Sequence, residues 1–205
     1  MAPRLYKQTL RMSCAWVIGL LVAGACGAMG AGPALAQVKA TDSLFSAAGY
    51  RTRQYLAPTP VSLSSATTVS TAQLQLMLAV HPNPVLVDVV KVPWRQGRFT
   101  ESEPHQNIPG SLWLPAAGLG RLPKPWVAHV RNVLDQATGH NRRQGIVFYC
   151  QTDCWLSWNA ARRAGEMGFK RVYWYREGVD GWRQLGFTLA DSDPISPAGM
   201  LEDVQ

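Results

Sequence analysis

Two thiols four residues apart, Cys150 and Cys154, are the residues whose type and spacing most directly suggest chemistry. They lie in Ile146-Val147-Phe148-Tyr149-Cys150-Gln151-Thr152-Asp153-Cys154-Trp155, an apolar run that ends on a cysteine about six residues before a helical pattern begins. A sulfur in that place faces the amino terminus of a helix, where unpaired N–H groups and the helix dipole lower a thiol below its ordinary pKa of about 8.5. Cys150 is therefore the candidate nucleophile and Cys154 the candidate resolving thiol. Four residues at a helix start separate Cα atoms by about 6 Å, within the range a disulfide accepts. The same pair reads alternatively as a structural disulfide, or as half of a soft-metal site lacking its other ligands. The spacing is one residue too long for c-type haem attachment, and Trp155 stands where the histidine is required. Gln151, Thr152, Asp153 and Trp155 surround the thiols and are the candidate substrate-binding residues, and no metal site is expected. Asp153 places a negative charge beside Cys150 and so opposes its ionisation.

The surrounding pattern says what must hold these residues in place. Val85 to Val90, Ile146 to Tyr149 and Val172 to Tyr175 are short apolar runs without polar alternation, the pattern of strands buried on both faces. Helical patterns alternate with them. Thr71 to Val80 follows a Ser70 or Thr71 cap. In Pro125 to Ala137, Trp126, Val130, Val133 and Leu134 share one face. In Leu156 to Met167 the face is Ala160, Ala161 and Ala164, and Gly168 ends the pattern. Parallel strands require crossovers, so the fold class is α/β, a parallel sheet flanked by helices. The Ser-, Thr- and Pro-rich stretch 37–70 is expected to be an extended N-terminal arm lying on the domain, with Tyr50 and Tyr55 as its large anchors. Residues 71–188 form the domain and 189–205 a C-terminal tail.

The chain has 205 residues, 47% of them hydrophobic and 16% charged, which excludes a disordered polymer and two large domains. Residues 1–36 carry Arg4, Lys7 and Arg11, then an apolar stretch and Ala34-Leu35-Ala36, the layout of a signal peptide cleaved near Ala36. Gly and Ala dilute that stretch, so no membrane span is expected after cleavage. Ala23-Gly24-Ala25-Cys26 permits a lipoprotein reading with Cys26 modified, although Ala23 poorly replaces the usual leucine. The formal charge is +7 for the whole chain, and removing three basic residues and no acid leaves +4. The remaining basic pairs sit at separate element ends, so nucleic acid is not an expected partner. Cys14 and Cys26 leave with the signal. In the oxidising compartment that export implies, Cys150 and Cys154 then have only each other.

Elsewhere the expectations are modest. Asp88, closing an apolar strand, reads as a hydrogen-bonded loop anchor. His105 reads as a turn residue, and His81, His129 and His140 lack ligand spacing.

Taken together, the Cys150 loop, Val85-Leu86-Val87-Asp88, Ile108-Pro109-Gly110, Gly168-Phe169-Lys170-Arg171-Val172 and Gly178-Val179-Asp180-Gly181-Trp182 resemble a rhodanese domain over roughly residues 70–188. More narrowly, Gly49-Tyr50-Arg51, Ile108 to Pro115 and Cys154-Trp155 leading into Ser157-Trp158-Asn159-Ala160-Ala161 resemble the exported PQQ-dependent catabolism-associated CXXCW motif proteins. The resemblance implies a rhodanese-like parallel sheet and a periplasmic setting beside a quinoprotein dehydrogenase system, with a small sulfur compound as the other possible partner. PQQ is then the partner enzyme's cofactor, and this chain needs none of its own. There are departures. The spacing here is Cys-x-x-x-Cys-Trp, Val89 replaces the arginine that usually follows the strand aspartate, and Leu156 occupies the arginine position of phosphatase relatives. A thiosulfate-type anion would have to rely on backbone N–H groups. The expected function is sulfur transfer or thiol–disulfide exchange through the cysteine pair. The alternative is a non-catalytic binding module with a permanent disulfide.

Overall fold

Five short strands, Thr67–Val69, Val172–Tyr175, Ile146–Tyr149, Val85–Asp88 and Leu112–Trp113, lie side by side in that order and all run in one direction. They are seen in a computed structural model that describes residues 43–100 and 104–199. The expected signal peptide with Cys26 and Ala36, and the last residues of the expected tail, lie outside the described residues. In chain order the elements are β1 (Thr67–Val69), α1 (Thr71–Leu78), β2 (Val85–Asp88), β3 (Trp94–Arg95), β4 (Arg98–Phe99), β5 (His105–Asn107), β6 (Leu112–Trp113), α2 (Lys124–Ala137), β7 (Ile146–Tyr149), α3 (Trp155–Glu166), β8 (Val172–Tyr175), α4 (Gly178–Gln184) and β9 (Ala190–Ser192). The fold is the expected α/β class, a parallel sheet flanked by helices.

The three apolar runs are the centre of the sheet because each must cover two faces at once. Alternate residues divide between two cores. Val87, Ile146, Phe148, Val172 and Trp174 pack with Trp126, Val130 and Leu134 of α2 and Ala160, Ala161 and Ala164 of α3. Leu86, Val147, Tyr149 and Tyr175 pack with Leu74 of α1 and Val179 and Trp182 of α4. The parity of β7 carries one residue further, so Cys150 falls on the α2 and α3 side. The alanines of α3 let that helix sit close to the sheet, which brings its first turn near the end of β7.

Local chemistry marks the helix ends. Ser70 and Gln73 form a capping box at the start of α1, and Pro125 sits in the first turn of α2. The expected arm differs from what is found in its last residues. Thr67–Val69 is the edge strand β1, paired with Tyr173–Tyr175. Only Val69 of the three is buried, so the segment carries too little apolar signal to stand out. The tail likewise contributes β9, antiparallel to β5.

Successive strands leave β2 in opposite directions: β6 lies on one side of it and β7 on the other. Such a reversal opens a crevice at the carboxyl ends of the strands. Asp88 closes β2 there, and the Cys150 loop closes β7.

Candidate active site

Cys150 follows the last residue of β7, and Cys154 is the N-cap of α3. Their sulfurs lie at disulfide distance, and their Cα atoms are 6.1 Å apart. The loop between them is held from both sides. Beneath it, the Cys150 carbonyl accepts the Val179 N–H at 2.9 Å. Gly178 makes this possible: its φ is +58°, and a Cβ there would fall 2.3 Å from the Cys150 oxygen. The Thr152 amide donates to Asp180 at 2.9 Å and its hydroxyl to the Glu177 carbonyl at 2.8 Å.

Above it lies the arm. Leu56 pairs with Cys154 in an antiparallel bridge. The Ala57 N–H donates to the Asp153 carbonyl at 3.0 Å, and the Trp155 N–H donates to the Tyr55 carbonyl at 2.8 Å. The Asp153 carboxylate accepts the Thr59 amide at 3.2 Å and its hydroxyl at 3.0 Å, and Arg176 lies 2.9 Å from the same oxygen. Arg176 also donates to the Thr59 hydroxyl at 2.9 Å. The Thr59 amide is the main cause that holds the Asp153 carboxyl below its ordinary range, with the hydroxyl and Arg176 adding to it against some desolvation. Deeper in, Asn159 of α3 is fully buried and clamps the arm through Arg51. Its amide also donates to the Gly118 carbonyl at 2.9 Å.

The consequence differs from the sequence expectation. Cys150 is 2% exposed and Cys154 1%, both within the apolar core. The amides of Thr152 and Trp155 are bonded to Asp180 and to the arm, so neither is free to cradle a thiolate or an oxyanion. The expected sulfur facing unpaired N–H groups at a helix terminus is corrected to a buried sulfur pair beneath a strap, residues 55–59, which bond along Asp153, Cys154 and Trp155 in front of α3.

The surrounding candidates separate accordingly. Gln151 and Thr152 are exposed. Asp153 anchors the arm, and its expected repulsion of Cys150 is offset by Arg176. Trp155 is buried in an aromatic cluster, with its ring centroid 5.4 Å from Phe45 and 5.3 Å from Trp158, and the Arg51 guanidinium 5.2 Å away. Its indole N–H donates to the Pro58 carbonyl at 3.2 Å. Thr59, Asn159 and Arg176 were not singled out by sequence reasoning. Their partners are far away in the chain, and no local spacing announces them.

Two other features frame the site. A cavity of about 660 Å³ beside the arm is lined by Tyr50, Arg121, Arg163 and Glu166, and neither cysteine borders it. Among the described residues no group of three or more His, Cys, Asp or Glu could hold a metal ion, and no helix is long and apolar enough to cross a membrane.

A cysteine loop between the carboxyl end of a parallel strand and a following helix, on a sheet of this order, coincides with a family match. The model of the rhodanese-like domain matches residues 70–185. The chain belongs to the rhodanese-like domain family. Similar solved structures include EanB in complex with hercynine, at 19% identity and a TM-score of 0.46, covering 62% of this chain and 32% of that one. Thiosulfate sulfurtransferase from Pseudomonas aeruginosa is 17% identical with a TM-score of 0.44, over 63% of this chain and 21% of that one. The Alr3790 protein from Anabaena is 15% identical with a TM-score of 0.41, over 60% of this chain and 79% of that one. The rhodanese-like chain thus spans a third or less of EanB and of the Pseudomonas enzyme. No curated protein sequence matches it.

Proposed function

We propose that this rhodanese-like protein works by thiol–disulfide exchange through Cys150 and Cys154, and that the arm governs access to the pair. The observation that carries the reading is the closure of the two cysteines on each other in the loop where the fold places its nucleophile. From the closed disulfide, a thiolate of a partner dithiol attacks one sulfur of the pair and expels the other as a thiolate. The partner's second thiolate then attacks the partner sulfur of that mixed disulfide and expels the first, so that two electrons pass from the partner dithiol, which is oxidised to a disulfide, to Cys150 and Cys154. Sulfur transfer, the other form of the expectation, has less support, because two of the loop amides that would hold a persulfide or thiosulfate are already bonded. Export to the periplasm, supported by the layout of residues 1–36, supplies the oxidising setting. Service to a PQQ-dependent alcohol oxidation system, with PQQ held by the partner enzyme, rests on the resemblance to the CXXCW motif proteins. N-terminal sequencing of the protein recovered from a periplasmic extract is expected to begin at Gln37. Recovery with Met1 intact in the cytoplasmic fraction would remove the setting.

The burial of both sulfurs favours a second reading, a binding module with a permanent structural disulfide. Ring size speaks against it. Closing a loop of only five residues removes little chain entropy, about 2 kcal/mol on the usual loop-closure relation. The double substitution Cys150→Ser with Cys154→Ser is accordingly expected to lower Tm by only about 4–8 °C. Equilibration with a glutathione redox buffer decides between the two. A reduction potential above about −300 mV supports exchange, and a value below it marks a structural bond.

A further inference from the structure

The crevice between the carboxyl ends of β2 and β7 encloses about 270 Å³ and is bordered by Val90, His105, Gln151, Val179 and Arg183. It adjoins the cysteine loop, since Gln151 follows Cys150 and Val179 bonds the Cys150 carbonyl, but no cysteine lines it. His105 is held by two side chains. Its Nε2 lies 2.8 Å from one oxygen of Asp88, a fully buried carboxylate whose other oxygen accepts the Val90 N–H at 2.9 Å. Its ring stacks on Trp113 with centroids 3.9 Å apart. Nε2 is committed to Asp88, which leaves Nδ1 as the second polar atom of the ring. Among the described residues Nδ1 has no partner. Arg183 is exposed, and its guanidinium has none either. A fixed imidazole, an exposed guanidinium and two valine walls therefore meet in a space smaller than the roughly 300–1,000 Å³ of drug-sized ligand sites.

We propose that this crevice binds a small hydroxy acid, with its carboxylate on Arg183, its hydroxyl hydrogen-bonded to His105 Nδ1, and its carbon atoms against Val90 and Val179. A carboxylate suits the guanidinium because the two can form paired parallel hydrogen bonds. A hydroxyl suits Nδ1 because it can donate to or accept from a ring nitrogen. The aspartate fixes the orientation of the ring, and Trp113 stacked on it fixes its plane. This inference goes beyond the disulfide reading. Its readout is a binding isotherm, which stands or falls whatever the redox behaviour of the cysteines.

The test is titration of the full mature chain with lactate, glycolate and propionate, followed by calorimetry and by amide shifts of Gln151 and Val179. Lactate and glycolate are expected to saturate one site. Propionate, which lacks the hydroxyl, is expected to bind roughly five- to tenfold more weakly. Arg183→Gln changes an exposed side chain outside the core and is expected to weaken lactate roughly tenfold or more. His105→Asn is expected to abolish the preference for lactate over propionate. Should that variant fail to fold with Asp88 left unpaired, Arg183→Gln and the ligand series still decide. Equal binding of lactate and propionate, unchanged affinity in Arg183→Gln, or no saturation up to about 10 mM overturns the proposal.

Discussion

Asp153→Gly is expected to speed reduction of the Cys150–Cys154 pair by dithiothreitol roughly tenfold, read by quenched-flow alkylation and intact mass. The reason is that neither sulfur can be attacked while the strap is in place. With both cysteines at most 2% exposed, reduction proceeds from an opened form, and its rate follows the population of that form when closing is fast. Asp153 closes the strap by accepting two bonds from Thr59 and pairing with Arg176. Hydrogen bonds to charged groups contribute about 1.5–3 kcal/mol when buried, and less at a half-exposed position such as this one. Glycine is the informative replacement because Asp153 has a φ of 51°, which glycine adopts without strain, so the change reports the loss of the carboxylate. Asp153→Asn keeps one acceptor and is expected to fall between the two.

The acceleration is expected to be the same at pH 6 and pH 8. The folded carboxyl of Asp153 lies below the ordinary value of 3.8, chiefly through the Thr59 amide. A group depressed in this way contributes fully above its unfolded value and loses that contribution only as pH falls through the folded one. Both test conditions lie on the ionised side. Equal reduction rates for Asp153→Gly and the parent protein would show that the arm does not control access, and the gating part of the proposed function would be withdrawn.

Asn159→Ala is expected to cost about 3–5 kcal/mol of stability, a fall in Tm of roughly 10 °C by calorimetry, and to expose the arm to trypsin at Arg51 and Arg53. Three backbone groups depend on this one side chain. It accepts the Arg51 N–H at 3.1 Å and donates to the Arg51 carbonyl at 2.7 Å and the Gly118 carbonyl at 2.9 Å. Alanine leaves all three in the interior without it, at about 1–3 kcal/mol for each group left unpaired. The close approach it secures has no slack. Gly120 lies against the arm so tightly that a Cβ there would fall 1.9 Å from the Arg51 carbonyl oxygen. A Tm shift below about 2 °C, with trypsin resistance unchanged, would mean that Asn159 does not carry the arm.

The central strands, three of the helices and the position of the cysteine loop were legible in the amino-acid order because each is a local matter. Val85–Asp88, Ile146–Tyr149 and Val172–Tyr175 are apolar on both faces, α1, α2 and α3 announce themselves by caps, periodicity and small residues, and Cys150 stands where one such run stops. A short run of buried residues needs no knowledge of its neighbours to be recognised. The edge strand Thr67–Val69 was not legible, because one buried side chain in three is too weak a pattern, and only the register with β8 makes it a strand. Burial of the sulfurs was not legible either. It is decided by residues 55–59, which lie nearly a hundred positions earlier and reach the loop through backbone bonds that any residue type can make. The same holds for the clamp of Asn159 on Arg51 and for the meeting of Thr59 with Asp153 and Arg176. Hydrogen bonds between distant segments leave no periodic trace, so composition and spacing could name the thiols while only the folded chain could show what stands in front of them.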